Sequence, residues 1–142
     1  MSLKWAGVIL FNRKGELLLL LRDNIPTIGH PDHWNIVGGA IEEGETPEEA
    51  ALREVQEEIG FRLARVSPFR LYNIDDERRG EPIPYHLYWS RLDKSVAELT
   101  LGEGQAMRFF RPEELPALRI IPHEVGILQD FLASPYHVGK TS

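Results

Sequence analysis

Residues 39–61 read Gly39-Ala-Ile-Glu-Glu-Gly-Glu45-Thr-Pro-Glu-Glu-Ala-Ala-Leu-Arg53-Glu54-Val-Gln-Glu57-Glu58-Ile-Gly60-Phe61. From Thr46 onward this stretch carries the marks of a helix with both ends specified. Thr46 suits the N-cap, Pro47 suits the first turn, and Glu49 completes a T-x-x-E capping box. Gly60 supplies a stop. The pattern predicts a helix over Thr46–Ile59. At about 100° per residue, Glu54, Glu57 and Glu58 fall within one stripe roughly 100° wide. Leu52, Val55 and Ile59 fall on a different face, suited to packing on a sheet. Three carboxylates therefore project together from a helix anchored on its other side.

The charge distribution singles out the same place. The 142 residues carry a net charge of −6, from 16 Lys+Arg and 22 Asp+Glu. Residues 42–58 hold eight glutamates and one basic residue, Arg53, while the rest of the chain has 15 basic and 14 acidic residues. Like charges three or four residues apart cost a helix a few tenths of a kcal/mol per pair, so a cation should neutralise this face. Carboxylate oxygens suit hard cations such as Mg²⁺, which keep water and substrate phosphates as further ligands. Gly38-Gly39 permits close backbone approach, so a carbonyl there can point at a metal, and Gly44 permits a sharp turn into the helix. A solvated glutamate-rich helix behind a glycine turn would explain the three carboxylates alone. The register of the whole segment goes further.

Working outward, residues 4–11 are apolar and β-prone, Asn12–Gly15 signals a turn, and Glu16–Arg22 reads as the second arm of a hairpin. Leu17–Leu21 is apolar on both faces, as expected of a strand covered on both sides. Residues 23–33 read as a loop, and Trp34–Val37 as a short strand ending at Gly38-Gly39. Beyond the helix come strands at 67–74 and 85–92 around a polar turn, a loop at 93–104, a strand at Met107–Phe110, and a helical turn at Pro112–Leu115. A last amphipathic helix spans Pro122–Leu132, and residues 134–142 read as a frayed tail. This order predicts one domain over residues 1–142, an α/β (α+β) sandwich built on a mixed sheet.

Composition narrows the function classes. There is no cysteine, which excludes disulfides, thiolate metal sites and a cysteine nucleophile. Neither apolar stretch near the start, Trp5–Phe11 nor Leu17–Leu21, approaches the roughly 18 residues of a membrane span. No membrane association and a cytoplasmic location are expected. An acidic chain lacks the basic footprint of a nucleic-acid binder.

The 39–61 segment resembles the Nudix box, G-x5-E-x7-R-E-U-x-E-E-x-G-U, where U is bulky and aliphatic. Every fixed position is filled except that Phe61 is aromatic where an aliphatic residue is usual. Val37 also stands where many members have proline. The box covers about a sixth of the chain, and the order of elements around it resembles the Nudix α/β/α sandwich over nearly its full length. The resemblance implies metal ligation by Glu54, Glu57 and Glu58, joined by the Gly38 carbonyl, with Mg²⁺ or Mn²⁺ as the cofactor. It implies that Arg53 orients the glutamates through charge-assisted hydrogen bonds, and that Glu45 fixes the loop to the helix. A further acid from a later loop assists in many relatives; Glu103, between Gly102 and Gly104, is the first candidate and Glu98 the second.

Other residues are ambiguous. Arg22, Trp34 and Tyr85 are candidates for substrate contact, with His33 and His86 beside the last two. Arg70, Arg78 and Arg79 could meet phosphates. His30, His123 and His137 show no metal-ligand spacing and read as surface residues. Of Phe109 and Phe110, one should face the core and the other a pocket. The resemblance implies hydrolysis of a phosphoanhydride in a small-molecule nucleoside diphosphate linked to another moiety. The compact length favours a nucleoside triphosphate over ADP-ribose; nucleotide sugars and dinucleoside polyphosphates stay open, as does a homodimer. The rival class is a nucleotide-binding module without catalysis.

Overall fold

A computed structural model describes residues 3–75 and 80–137. Arg78 and Arg79, and the tail from 138, lie outside the described residues. In chain order the elements are β1 (Trp5–Phe11), β2 (Leu17–Leu21), β3 (Trp34–Asn35), β4 (Val37–Ala40), α1 (Pro47–Ile59), β5 (Ser67–Ile74), β6 (Ile83–Arg91), β7 (Ala106–Phe110) and α2 (Pro122–Ala133). Short 3-10 turns at Val96–Glu98 and Pro112–Ala117 interrupt the connections.

The β1–β2 turn is built as its sequence demands. Gly15 takes φ 80°, and Asn12 Oδ1 accepts from the N–H groups of Lys14 and Glu16 at 3.0 Å each, satisfying the turn locally. The hairpin then splays. Phe11 pairs with Leu17, but Trp5–Val8 pair instead with β4, and β2 goes on to pair with β3 and β7. On its other edge β1 runs parallel to β6, which pairs with β5. Among the described residues the result is a seven-stranded mixed sheet.

Alternation along β1 and β2 divides the core in two. Ala6, Val8, Leu10, Leu18 and Leu20 pack with Ala50, Ala51, Val55 and Ile59 of α1. Ile9, Phe11, Leu17 and Leu19 pack on the opposite face with Ile127, Leu128 and Phe131 of α2. Both central strands are thus covered on both sides, giving the expected α/β/α sandwich.

Several local expectations need correction. The strand expected over Trp34–Val37 breaks at Ile36, and Gly38-Gly39 lie inside β4 rather than after it. Gly38 faces Gly7 across the ladder, where an added Cβ would meet the Gly7 Cα at 2.7 Å. At Gly39 an added Cβ would collide with the Glu54 carboxylate. The two glycines therefore let β1 and α1 close on β4 from different sides. β6 begins at Ile83, two residues early, because Pro84 pairs with β5 while the pairing to β1 starts only at Tyr85. The missing N–H of Pro84 is tolerated beyond the end of β1. The tail is not frayed through residue 137: Ser134 and His137 are buried, and His137 Nε2 lies 2.7 Å from the Gly15 carbonyl oxygen. Among the described residues no helix is long and apolar enough to cross a membrane.

Candidate active site

Helix α1 is capped as its sequence specifies. Thr46 Oγ1 accepts from the Glu49 N–H, Glu49 returns the bond to the Thr46 N–H, and Gly60 closes the helix at φ 67°. With both ends fixed and Ala50, Ala51, Val55 and Ile59 buried, the rotation of the helix about its axis is set. Arg53 then organises the acidic face. Its guanidinium donates to both Glu45 oxygens at 2.7 and 3.0 Å, to Glu54 Oε2 at 2.8 Å, to Glu57 Oε1 at 3.2 Å, and to the Ala40 carbonyl at 3.0 Å. Glu45 also accepts from the Glu42 N–H at 2.8 Å, which ties the preceding loop to the helix. Arg53 holds the Glu45 carboxyl below the usual range, and its own charge is reinforced by Glu45 and Glu54.

A cavity of about 280 Å³ opens beside these carboxylates. Glu54, Glu57 and Glu58 form its α1 wall, and Glu103 and Gly104 project from the loop before β7. Arg22, Asp23 and Ile28 form the wall that follows β2. The cavity sits at the end of β2 that has splayed from β1. Burial pushes the Glu54 carboxyl up despite Arg53 beside it. Glu58 is pushed up to about 8, chiefly by burial and then by the Glu54 charge, and it accepts a long 3.3 Å bond from the Gly38 N–H. Gly38 thus turns an amide toward Glu58, and it is not among the residues lining the cavity.

The donor chemistry fits a hard divalent cation, since every candidate atom is oxygen. Among the described residues, however, no three His, Asp or Glu side chains already converge as a cage.

Two other candidates sit elsewhere. Tyr85 is 9% exposed, stacks on Trp5 at 5.5 Å and faces the α2 side of the sheet. Trp34 packs edge-on against Phe110 at 4.7 Å, also on that side. The glutamates approach from the α1 side, and neither ring lines the cavity. Phe109 packs against the α1-side core rather than a pocket. Glu98 is bound to Ser95 at the 3-10 turn, and Arg70 pairs with Asp130 at 3.4 Å. His123, expected at the surface, is half-buried against Tyr85 and His30.

Asn35 and Glu124 were not among the expected site residues. Asn35 lines the cavity and is 5% exposed; a lone amide in an apolar strand before Gly-Gly was the available signal. Glu124, in the first turn of α2, is 3% exposed, and its Oε1 accepts from the Ile36 N–H at 2.6 Å. The β3–β4 break takes that N–H out of the ladder, and Glu124 reaches across the fold to satisfy it. Burial pushes the Glu124 carboxyl from 4.5 up to about 8. A folded state that holds its proton more tightly gains stability below the unfolded pKa and loses it as pH rises through the folded one. Glu124→Gln keeps the acceptor and carries no charge. In urea unfolding with chelator, it is expected to match the wild type near pH 4 and to exceed it by about 4 kcal/mol at pH 8. A constant difference across that range would show that Glu124 is not buried as an acid.

Comparison with known proteins agrees with this architecture. The NUDIX domain model matches residues 2–131. A putative 8-oxo-dGTP diphosphatase of Bacillus subtilis (strain 168) is 28% identical over 139 residues, covering 96% of this chain and 84% of the relative. An RNA pyrophosphohydrolase of Gluconobacter oxydans (strain 621H) is 48% identical, but over only 61 residues, 43% of this chain and 34% of the relative. Among solved structures, a MutT protein from Methanosarcina mazei Go1 superposes with TM-score 0.77 at 18% identity, covering 92% of each chain, which bears on the fold. With the family model spanning nearly the whole chain and the carboxylate helix in its register, this chain belongs to the Nudix hydrolase family.

Proposed function

We propose that this chain hydrolyses a phosphoanhydride bond in a nucleoside diphosphate linked to another moiety, with a nucleoside triphosphate as the leading substrate class. The observation that carries the reading is one cavity lined by Glu54, Glu57, Glu58 and Glu103 together with Arg22. A purely acidic cavity would repel a polyphosphate, and a purely basic one could not hold a divalent cation. Glu54, Glu57 and Glu58 would hold Mg²⁺ or Mn²⁺, which when bound withdraws charge from phosphoryl oxygens. Arg22, anchored through Nε to the Gly29 carbonyl at 2.8 Å, would offer its terminal nitrogens to a phosphate. Arg53 fixes the direction of Glu54 and Glu57. Glu103, exposed on its glycine-flanked loop, can accept a proton from an attacking water or complete the cation's ligands. The 8-oxo-dGTP diphosphatase relative supports the triphosphate class.

The test is a substrate panel with Mg²⁺ or Mn²⁺ in ¹⁸O-labelled water, covering nucleoside triphosphates, their oxidised forms, nucleotide sugars, ADP-ribose, dinucleoside polyphosphates and 5′-triphosphorylated RNA. The last is included because of the RNA pyrophosphohydrolase relative. Hydrolysis of a triphosphate, with label on one product, is expected. Nucleotide binding without hydrolysis across the panel would favour the non-catalytic module. Glu103→Gln should lower kcat at least about tenfold; a wild-type rate and pH profile would remove Glu103 from the reaction.

A further inference from the structure

We infer that Gln105 is a positioning residue, an amide clasp that holds the Glu103 wall of the cavity in register with the Arg22 wall; this rests on the hydrolytic reading above. Gln105 Nε2 donates to the Arg22 carbonyl at 2.8 Å and to Asp32 Oδ1 at 2.7 Å, while its backbone N–H donates to the Leu21 carbonyl at 2.8 Å. Three bonds from one residue thus reach the end of β2 and the far end of the 23–33 loop. The amide orientation follows from its partners. Both are acceptors, so both Nε2 protons are used, and the flipped amide would set oxygen against oxygen.

The surroundings make this clasp a hinge point between the walls. Gly104 takes φ 105°, and a Cβ there would lie 2.7 Å from the Leu21 carbonyl oxygen. Only a glycine lets the Glu103 loop press so closely on β2 and bring Gln105 within reach. On the other side, Arg22 donates its N–H to the His33 carbonyl at 2.9 Å and its Nε to the Gly29 carbonyl at 2.8 Å. Asp32 closes the loop through its N–H to the Asp23 carbonyl at 3.2 Å. Loop 23–33 is therefore braced as a unit and tied to the Glu103 loop through Gln105. Water could replace the lost bonds energetically, but it would not fix the distance between Glu103 and Arg22. Displacing a reacting group by about 1 Å from afar can cost up to a hundredfold in rate.

Gln105→Ala is expected to lower kcat about tenfold, with a smaller change in KM and little change in the thermal midpoint. Gln105→Glu should be worse, since it sets a carboxylate against Asp32. Adding Asp32→Asn to Gln105→Glu exchanges donor and acceptor across the same contact and should recover part of the rate. In a Glu103→Gln background, Gln105→Ala should cost little more, because the clasp acts through Glu103. A wild-type kcat and KM for Gln105→Ala, or a fully additive loss with Glu103→Gln, would overturn the assignment. If the wild type hydrolyses nothing, the proposed function falls, and the clasp is judged by amide hydrogen exchange. Faster exchange across residues 22–33 in Gln105→Ala then supports it, and unchanged exchange overturns it.

Discussion

Glu57→Gln is expected to cut kcat by about a hundredfold or more while leaving the unfolding midpoint unchanged or slightly raised. The two halves of this outcome have separate causes. The Glu57 side chain is 57% exposed, and among the described residues its bond is the long 3.2 Å contact from Arg53. Little folding energy depends on it. Its carboxylate also sits three residues from Glu54, so the neutral amide relieves repulsion worth a few tenths of a kcal/mol. Its proposed value lies in charge presented to the cavity, which an amide of the same shape does not supply. Thermal unfolding with and without Mg²⁺ or Mn²⁺ reads the same point independently. A cation that binds only the folded state raises the wild-type midpoint, and Glu57→Gln should blunt that rise. Unchanged turnover together with an unchanged metal response would remove Glu57 from the site.

What was legible in the sequence was what is encoded locally. The capping box, the Gly60 stop and the spacing of Glu54, Glu57 and Glu58 all lie within fifteen residues, and helix geometry converts that spacing into a shared face. Apolar β-prone runs bounded by turn signals marked the strands, and the unbroken apolar run Leu17–Leu21 pointed to the double burial found at Leu17–Leu20. What was hidden depends on contacts between distant segments. Glu124 and Ile36 are 88 positions apart, and Gln105 and Asp32 are 73; no periodicity announces either pair. Tyr85 shows a subtler failure. Its place on a strand was predictable, but which face α2 would cover was not, and that face decides between core and cavity. The Gly38-Gly39 pair was legible as a close approach but not as a paired strand, because its partners Ala6 and Gly7 come from β1.

Arg53→Lys conserves the charge and should nevertheless lower both stability and activity. The guanidinium makes five contacts in one plane-directed fork, two of them to the Glu45 carboxylate. An ammonium has three donors around one point and cannot span Glu45, Glu54, Glu57 and Ala40 together. The loss in stability should be about 1–2 kcal/mol, below the full value of charged hydrogen bonds because the side chain is 22% exposed. The loss in kcat should be about 10- to 100-fold, since Glu54 and Glu57 lose the group that orients them. Glu45→Gln separates the two effects. Glu45 anchors the loop and does not line the cavity, so its substitution should reproduce most of the stability loss and less of the kinetic one. Urea unfolding of both single variants and the double variant should then be non-additive, as for residues sharing one contact. Equal kinetic losses from Glu45→Gln and Arg53→Lys would instead mean that the loop, and not the direction of the two glutamates, is what Arg53 protects.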